Sequence, residues 1–218
     1  MPRLRRFATA QADSAPMIAV TGQVPVAMIG KDAFQESDII GMANPVVKYA
    51  FQPRLPEDVP EAVRKGFYIA ETGRPGPVLI DIPKDVQQNE SPMEFPEEFK
   101  IQGYHPWYDP DMVACEKAIE MLLNSEKPII LAGGGTIISS AFAELQSIAE
   151  TLMIPVVTTF KGKGAFPENH PLSLGPIGMH GHAEANKMMA EADCVLAIGT
   201  RFSDRSVGTF EAFENAIM

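Results

Sequence analysis

The stretch "PIILAGGGTIISSAFAELQSIAE", Pro128 to Glu150, decides the fold. An apolar, β-branched run ends in three glycines, and apolar residues at helical spacing follow. That is the signature of a buried strand, a tight turn and a helix. We place the strand at Pro128–Ala132 and the helix at about Ile137–Leu152. Working outward, a helix over Asp111–Asn124 precedes the strand. Downstream come a strand in "IPVVTTF", a helix around Ala183–Ala192 and a strand in "CVLAIGT". Strands that alternate with helices pair in parallel, so this part of the chain reads as a doubly wound, Rossmann-like α/β sheet. Its strands end in Gly133, Thr158-Thr159 and Gly199-Thr200. In such sheets the C-terminal strand ends share one edge, where ligands bind.

Upstream, "PMIAVTG" (Pro16–Gly22) and the strand Pro77–Ile82 in "RPGPVLIDIPKD" are short apolar runs. Between them "LPEDVPEAVRKGFYIAETG" (Leu55–Gly73) has early acids, helical periodicity and a closing Gly73. This first segment is α/β too. From Gln87 to Pro110 the texture turns to Pro, Glu and aromatics without a period, which suits a surface connection. The expected division is residues 1–90, a linker at 91–110, and 111–218.

Composition narrows the classes. The chain has 218 residues, a formal net charge of −10 and pI near 4.9. An acidic balance argues against nucleic-acid binding, and no apolar run approaches the roughly 20 residues of a membrane helix. "MPRLRRF" is basic, but "ATAQADSAPM" after it is too polar for a signal-peptide core. Cys115 and Cys194 are far apart, without metal-ligand spacing, and read as reduced thiols of a cytoplasmic protein.

The glycines alone leave two readings open: a nucleotide cradle, or a turn that needs small residues. The dinucleotide fingerprint G-x-G-x-x-G lacks its third glycine here, and the next strand ends in Thr-Thr-Phe rather than an acid. No G-x-x-x-x-G-K-[ST] or G-x-S-x-G occurs. More glycines converge on the same rim in "GPIGMHG" (Gly175–Gly181) and "IGTRFSDR" (Ile198–Arg205). Bare backbone and arginines suit a diphosphate, and Phe160 and Met179 could pack on a flat ring. His180-x-His182 has no Cys or carboxylate at ligand spacing, so loop polar residues are the better reading and no metal is expected. Asp81 ends a strand with Lys84 just beyond: a solvated turn, or a lysine facing substrate. Phe34-Gln35 in "GKDAFQESD" is a packing anchor or part of a site.

Several long motifs together resemble one family. "DSAPMIAVTGQVPVAMIGKDAFQESDIIGMANPVVKYAF", "FYIAETGRPGPVLIDIPKDVQ", "AGGGTIIS", "TTFKGKGAFPENHPLSLGPIGMHG" and "IGTRFSDRSVG" are similar to the large, catalytic subunit of acetohydroxyacid (acetolactate) synthases. The likeness runs from about Ala8 onward. Members of that family use thiamine diphosphate and Mg²⁺ to join two 2-keto acids in branched-chain amino acid biosynthesis, and hold an FAD that does no net redox chemistry. The resemblance implies a partial pyrimidine-binding domain followed by the central FAD-binding domain. It also implies keto-acid substrates, a homo-oligomer (dimer or tetramer), a possible regulatory subunit and a cytoplasmic location.

Residue by residue, the resemblance implies that Arg74 contacts FAD and that Gly133, Gly134 and Gly135 lie along its diphosphate and ribose. Thr158, Thr159 and Phe160 would line it, Met179, His180 and Gly181 would flank the flavin, and Gly199, Thr200 and Arg201 would complete the cleft. Pro25, Phe34, Gln35, Lys84 and Arg205 would face the substrate channel. Phe160 departs from the commoner Met, and Ser203 stands where Asp is usual. The family's catalytic Glu and its Mg²⁺-diphosphate motif have no counterpart in these residues, so no catalytic residue is assigned. FAD is the cofactor that this chain chiefly addresses, and it is expected to be inactive alone. The alternatives are a non-catalytic FAD or nucleotide-binding module, or part of a related thiamine enzyme such as pyruvate oxidase or glyoxylate carboligase.

Overall fold

The computed structural model describes residues 2–92 and 94–203. The chain divides into two compact units, which meet in sequence at Tyr108 and Asp109.

In the first unit, helix α1 (Pro2–Asp13) leads into strand β1 (Met17–Gln23). Helix α2 (Ile39–Ala43) follows, with the Asp38 carboxylate accepting the Gly41 N–H as its N-terminal cap, and then the short strand β2 (Tyr49–Phe51). Helix α3 (Asp58–Glu71) carries Asp58 and Glu61 in its first turn, where carboxylates favour the positive end of the helix. It stops at Thr72, and Gly73 turns the chain at φ +58. Strand β3 (Pro77–Pro83) and helix α4 (Lys84–Gln88) complete the unit's regular elements.

The three strands are parallel in the order β1-β3-β2, with Gln23 opposite Pro83 at the C-terminal ends of β1 and β3. Central β3 is buried from Pro77 through Asp81, as a strand covered on both faces must be. Leu79 packs with Phe7 of α1 and Ala43 of α2 on one face, and Val78 with Ile69 and Ala70 of α3 on the other. Ile101 and Tyr104, from the segment whose composition reads as a connection, join that second cluster. Tyr104 is anchored by Lys48, whose ammonium donates to the Ile69 carbonyl, the Thr72 carbonyl (2.7 Å) and the Tyr104 hydroxyl (3.1 Å). The carbonyls of Ile69 and of the cap residue Thr72 are thereby satisfied.

The second unit opens with helix α5 (Met112–Asn124), capped by the Asp111 carboxylate through the amides of Val113 and Ala114. Strand β4 (Pro128–Ala132) is buried from Ile129 onward. Helices α6 (Gly134–Ile138) and α7 (Phe142–Leu152) come next, then strands β5 (Val156–Thr158) and β6 (Ser173–Pro176), helix α8 (Ala183–Glu191) and strand β7 (Cys194–Ile198). All four strands are parallel, in the order β6-β5-β4-β7. The chain therefore adds strands to one side of β4 and then reverses to place β7 on the other, as doubly wound folds do.

Alternate residues of β4 feed two cores. Ile130 and Ala132 pack with Leu122, Leu145 and Phe166; Ile129 and Leu131 pack with Ile177, Ala185 and Met189. Each fully buried Ile or Leu contributes about 1.5–3 kcal/mol, so β4 is the unit's anchor. At the strands' N-terminal ends the Asp193 carboxylate accepts the amides of Glu126 (2.7 Å) and Lys127 (2.9 Å), which hold its pKa below the ordinary value.

The expected single helix at 137–152 is two helices, because Ser140 adopts φ +56 between them. Strands β2 and β6 are short and only partly buried, and neither shows as an apolar run in the sequence. Replacing Lys48 with Met strips the end of α3 of its cationic donor. We expect a loss of about 1–3 kcal/mol, read as faster amide exchange across α3 and β3 with α5 and β4 unaffected.

Candidate functional site

Register places the tips of β4, β5, β6 and β7 side by side. Ala132 of β4 lies opposite both Thr158 of β5 and Ile198 of β7, and Thr158 lies opposite Pro176 of β6. The glycine turn, Thr159, the loop after Pro176 and Gly199 thus share one edge of the second unit, as the sequence led us to expect.

The glycines meet backbone there. The Gly133 N–H donates to the Ile198 carbonyl and the Gly135 N–H to the Gly199 carbonyl, each at 2.8 Å. A Cβ on Gly135 would stand 2.6 Å from Gly199 Cα, and one on Gly133 would stand 2.6 Å from Thr200 Cα and run into the Gly199 carbonyl oxygen. Gly199 itself has φ +60, and its own Cβ would meet the Thr136 nitrogen at 2.5 Å. Two strand tips therefore close on each other at the reversal point, which only glycine permits. On the other side, Gly134 faces Lys161, with 3.0 Å from its ideal Cβ to the Lys161 Cβ.

Around this turn the flanking residues divide into buried supports and exposed contacts. Thr158 and Thr159 are buried; the Thr159 hydroxyl accepts the Gly162 N–H at 3.0 Å and its own N–H donates to the Ala132 carbonyl at 2.9 Å. Phe160 and Met179 are 79% and 78% exposed. His180 and Arg201 are exposed, Thr200 is half-buried, and Gly181 abuts the backbone of Pro176 and Ile177. The loop that carries Met179 is clamped by Asn186, whose amide accepts from the Gly178 N–H (2.9 Å) and donates to its carbonyl (3.0 Å). His182 lies against Gly175 at φ +83, with Nδ1 3.2 Å from the Leu174 carbonyl, and so serves the loop. Among the described residues no three His, Cys, Asp or Glu side chains gather as a metal site.

In the first unit Pro25, Phe34, Gln35 and Lys84 come to the C-terminal edge of the sheet. Pro25 and Lys84 follow the paired ends of β1 and β3, and the Asp85 carboxylate accepts the Val26 N–H at 3.1 Å. The loop between β1 and α2 is fixed at both ends. The Gln23 amide donates to the Ser37 carbonyl (2.8 Å), and the Glu36 carboxylate accepts the amides of Gly30 and Ala33, the latter at 2.9 Å. Those two bonds, Gly30's first, hold the Glu36 pKa below its ordinary 4.5. Phe34 at the tip is 90% exposed, and Gln35 beside it has φ +66.

Asp81 is not in a solvated turn. It is fully buried, and its carboxylate accepts from Thr21 (2.6 Å), Gln23 (3.2 Å) and Gln52 (3.0 Å). Sequence reasoning missed this hub because its donors are remote in the chain. Arg74 lies at the opposite, N-terminal edge of β3, where its guanidinium donates to Ser14 Oγ (2.9 Å) and to the Gln11 carbonyl (3.0 Å) at the end of α1. Arg205 lies outside the described residues.

Residues 115–217 match the family model of the thiamine pyrophosphate enzyme central domain. The chain is 52% identical over 210 residues to the "Probable acetolactate synthase large subunit" of Methanocaldococcus jannaschii, covering 95% of this chain and 36% of that protein. It is 47% identical over 211 residues to the acetolactate synthase large subunit of Cyanidium caldarium, with the same coverages. Against that of Corynebacterium glutamicum it is 45% identical over 207 residues, covering 95% of this chain and 33% of the relative. The chain thus spans about a third of the length of the curated relatives it matches. A solved structure from Mycobacterium smegmatis, described as a thiamin diphosphate-dependent enzyme, superposes with a TM-score of 0.70 at 24% identity, over 91% of this chain and 38% of that one. At that identity it speaks to the fold. No helix among the described residues is long and apolar enough to cross a membrane.

Gly135→Ala should lower stability by about 1–3 kcal/mol through overpacking against Gly199, measured by urea denaturation. Gly164→Ala, where φ is +90 but nothing lies within 4 Å, should cost only about 1 kcal/mol of backbone strain. For Glu36, a depressed folded pKa means that its clasp stabilises the loop above the ordinary value of 4.5 and loses it as pH falls through the lower folded value. The amide resonances of Gly30 and Ala33 should titrate with a midpoint below 4.5, and Glu36→Gln should abolish that transition.

Proposed function

We propose, from the premise that residues 115–217 are a central domain of the thiamine diphosphate-dependent enzyme family within a chain related to acetolactate synthase large subunits, that this protein serves the condensation of pyruvate with a second 2-keto acid, pyruvate or 2-ketobutyrate. In that reading residues 1–90 belong to a pyrimidine-binding domain, 91–110 link it onward, and the second unit carries FAD. The observation that carries the FAD assignment is the convergence of four parallel strand tips at the chain reversal, with Phe160 and Met179 left exposed beside the glycine turn.

These residues fit a flavin dinucleotide. Phe160 and Met179 offer apolar surface to the ring system. Arg201 and the turn at Gly133–Gly135 offer a cation and close backbone approach to the diphosphate. Thr158, Thr159, Thr200, His180, Gly181 and Gly199 would line the cleft between them. Thiamine diphosphate with Mg²⁺, when bound, supplies the nucleophilic carbon that joins the two acids. Among the described residues no three His, Cys, Asp or Glu side chains gather to hold the Mg²⁺.

The chain's own contribution to the reaction is to receive and orient the keto acid. Phe34 presents an apolar ring, the Gln35 amide can donate to a ketone or carboxylate oxygen, and Lys84 supplies a positive charge beside Pro25. Arg205 would pair with the acceptor's carboxylate in a bidentate bond. The whole enzyme would be a cytoplasmic homo-oligomer of two or four chains, with a possible regulatory subunit.

Because the chain spans about a third of its relatives, we expect residues 1–218 with thiamine diphosphate, Mg²⁺ and FAD to make no acetolactate. The same chain should nonetheless retain flavin absorbance after desalting. Acetolactate formation would overturn the first expectation, and complete loss of flavin would overturn the second.

A further inference from the structure

We propose that Lys161 and Arg201 form a two-cation clamp for the diphosphate of a bound dinucleotide, one on each side of the Gly133–Gly135 turn. The inference rests on reading that edge as a flavin nucleotide site, and adds to it a residue, Lys161, that neither the sequence motifs nor the family resemblance assigns.

The placement comes from register. Thr158 of β5 and Ile198 of β7 both lie opposite Ala132, the last residue of β4. Lys161 is three residues beyond Thr158, and Arg201 three beyond Ile198. The two cations therefore flank the tip of β4 from its two neighbours.

Both adjoin backbone that is tied to β4 and its glycine turn. The 3-10 turn Phe160–Gly162 is pinned to β4 by the Thr159 N–H, which donates to the Ala132 carbonyl, and closed by the Thr159 hydroxyl on the Gly162 amide. Gly162 is pressed so closely on the Ala132 carbonyl that a Cβ there would collide with its oxygen. This seats the root of the Lys161 side chain over Gly134. Arg201 follows Gly199, which is locked against Gly135, and the Phe202 N–H donates to the Thr200 hydroxyl at 3.4 Å just beyond it.

Charge gives the second argument. The chain carries 28 acidic against 18 basic side chains, so carboxylate partners are plentiful. In the same unit Lys127 and Lys187 pair with Glu191, and Lys163 with Glu168. Among the described residues Lys161 and Arg201 have no such partner, although both are exposed at the same rim as Phe160 and Met179. Two cations without a carboxylate partner among the described residues, set across a turn of bare backbone, match a ligand with two linked negative charges, and the neighbouring apolar side chains match the ring at its end.

The test is calorimetric titration of the 218-residue chain with FAD, inorganic pyrophosphate and riboflavin, repeated at low and high salt. Lys161→Met should weaken pyrophosphate and FAD binding about tenfold and flatten the salt dependence, while riboflavin, which has no phosphate, binds as before. Arg201→Met should behave alike, and Lys161→Arg should restore binding. The side chain of Lys161 is exposed, so an unchanged melting temperature serves as the folding control. Pyrophosphate binding that is unchanged in Lys161→Met overturns the clamp. So does an equal loss of riboflavin and pyrophosphate binding, which would make Lys161 a support of the fold. If wild-type chain takes pyrophosphate but not FAD or riboflavin, the flavin reading fails and the clamp stands on the pyrophosphate arm alone.

Discussion

Backbone meeting backbone at the tip of the second unit's sheet is the contact on which the rest depends. Gly133, Gly135 and Gly199 bring the ends of β4 and β7 together with no side chain between them. A parallel sheet that reverses its winding direction must leave a crevice at that point. Here the crevice floor is closed by amide-to-carbonyl bonds, Gly133 to Ile198 and Gly135 to Gly199, while its walls are the loops after β5, β6 and β7. The three glycines are thus a packing device first. In the proposed reading a ligand's phosphates would rest above this floor, so one constraint would account for both turn and cradle.

The first unit solves an equivalent problem with side chains. Asp81, buried at the end of β3, gathers Thr21, Gln23 and Gln52, and Gln23 passes the order on to Ser37. A buried carboxylate costs several kcal/mol unless its oxygens are bonded, so these donors are held tightly in place. The loop bearing Phe34 and Gln35 is consequently set on a rigid edge, and Glu36 closes it from within. At the tip of that loop Phe34 is 90% exposed.

How much of this was legible depended on the range of the interactions. The run Ile129–Ala132 announced a strand buried on both faces, because continuous apolarity leaves few other choices. The exposed pair Phe160 and Met179 and the rim cation Arg201 were legible from their places just past strands. The break at Ser140 was not, since the sequence there has neither Gly nor Pro to announce a left-handed turn. Strand β6, "SLGP", hid because Gly175 and Pro176 weaken any strand pattern. Asp81 and Lys161 were misjudged or passed over for one reason: their partners, Thr21 and Gln52 for the first and Gly134 for the second, are brought near only by the fold.

The central claim is that the edge formed by the tips of β4, β5, β6 and β7 receives a dinucleotide. Amide chemical-shift mapping of the isotopically labelled chain during FAD addition tests it most directly. The account predicts that shifts concentrate at Gly133–Thr136, Phe160–Gly162, Gly178–Gly181 and Gly199–Arg201, with β3 and α3 of the first unit silent. Shifts centred instead on the groove between α5 and α7, lined by Ile119, Ser147 and Leu152, would contradict it.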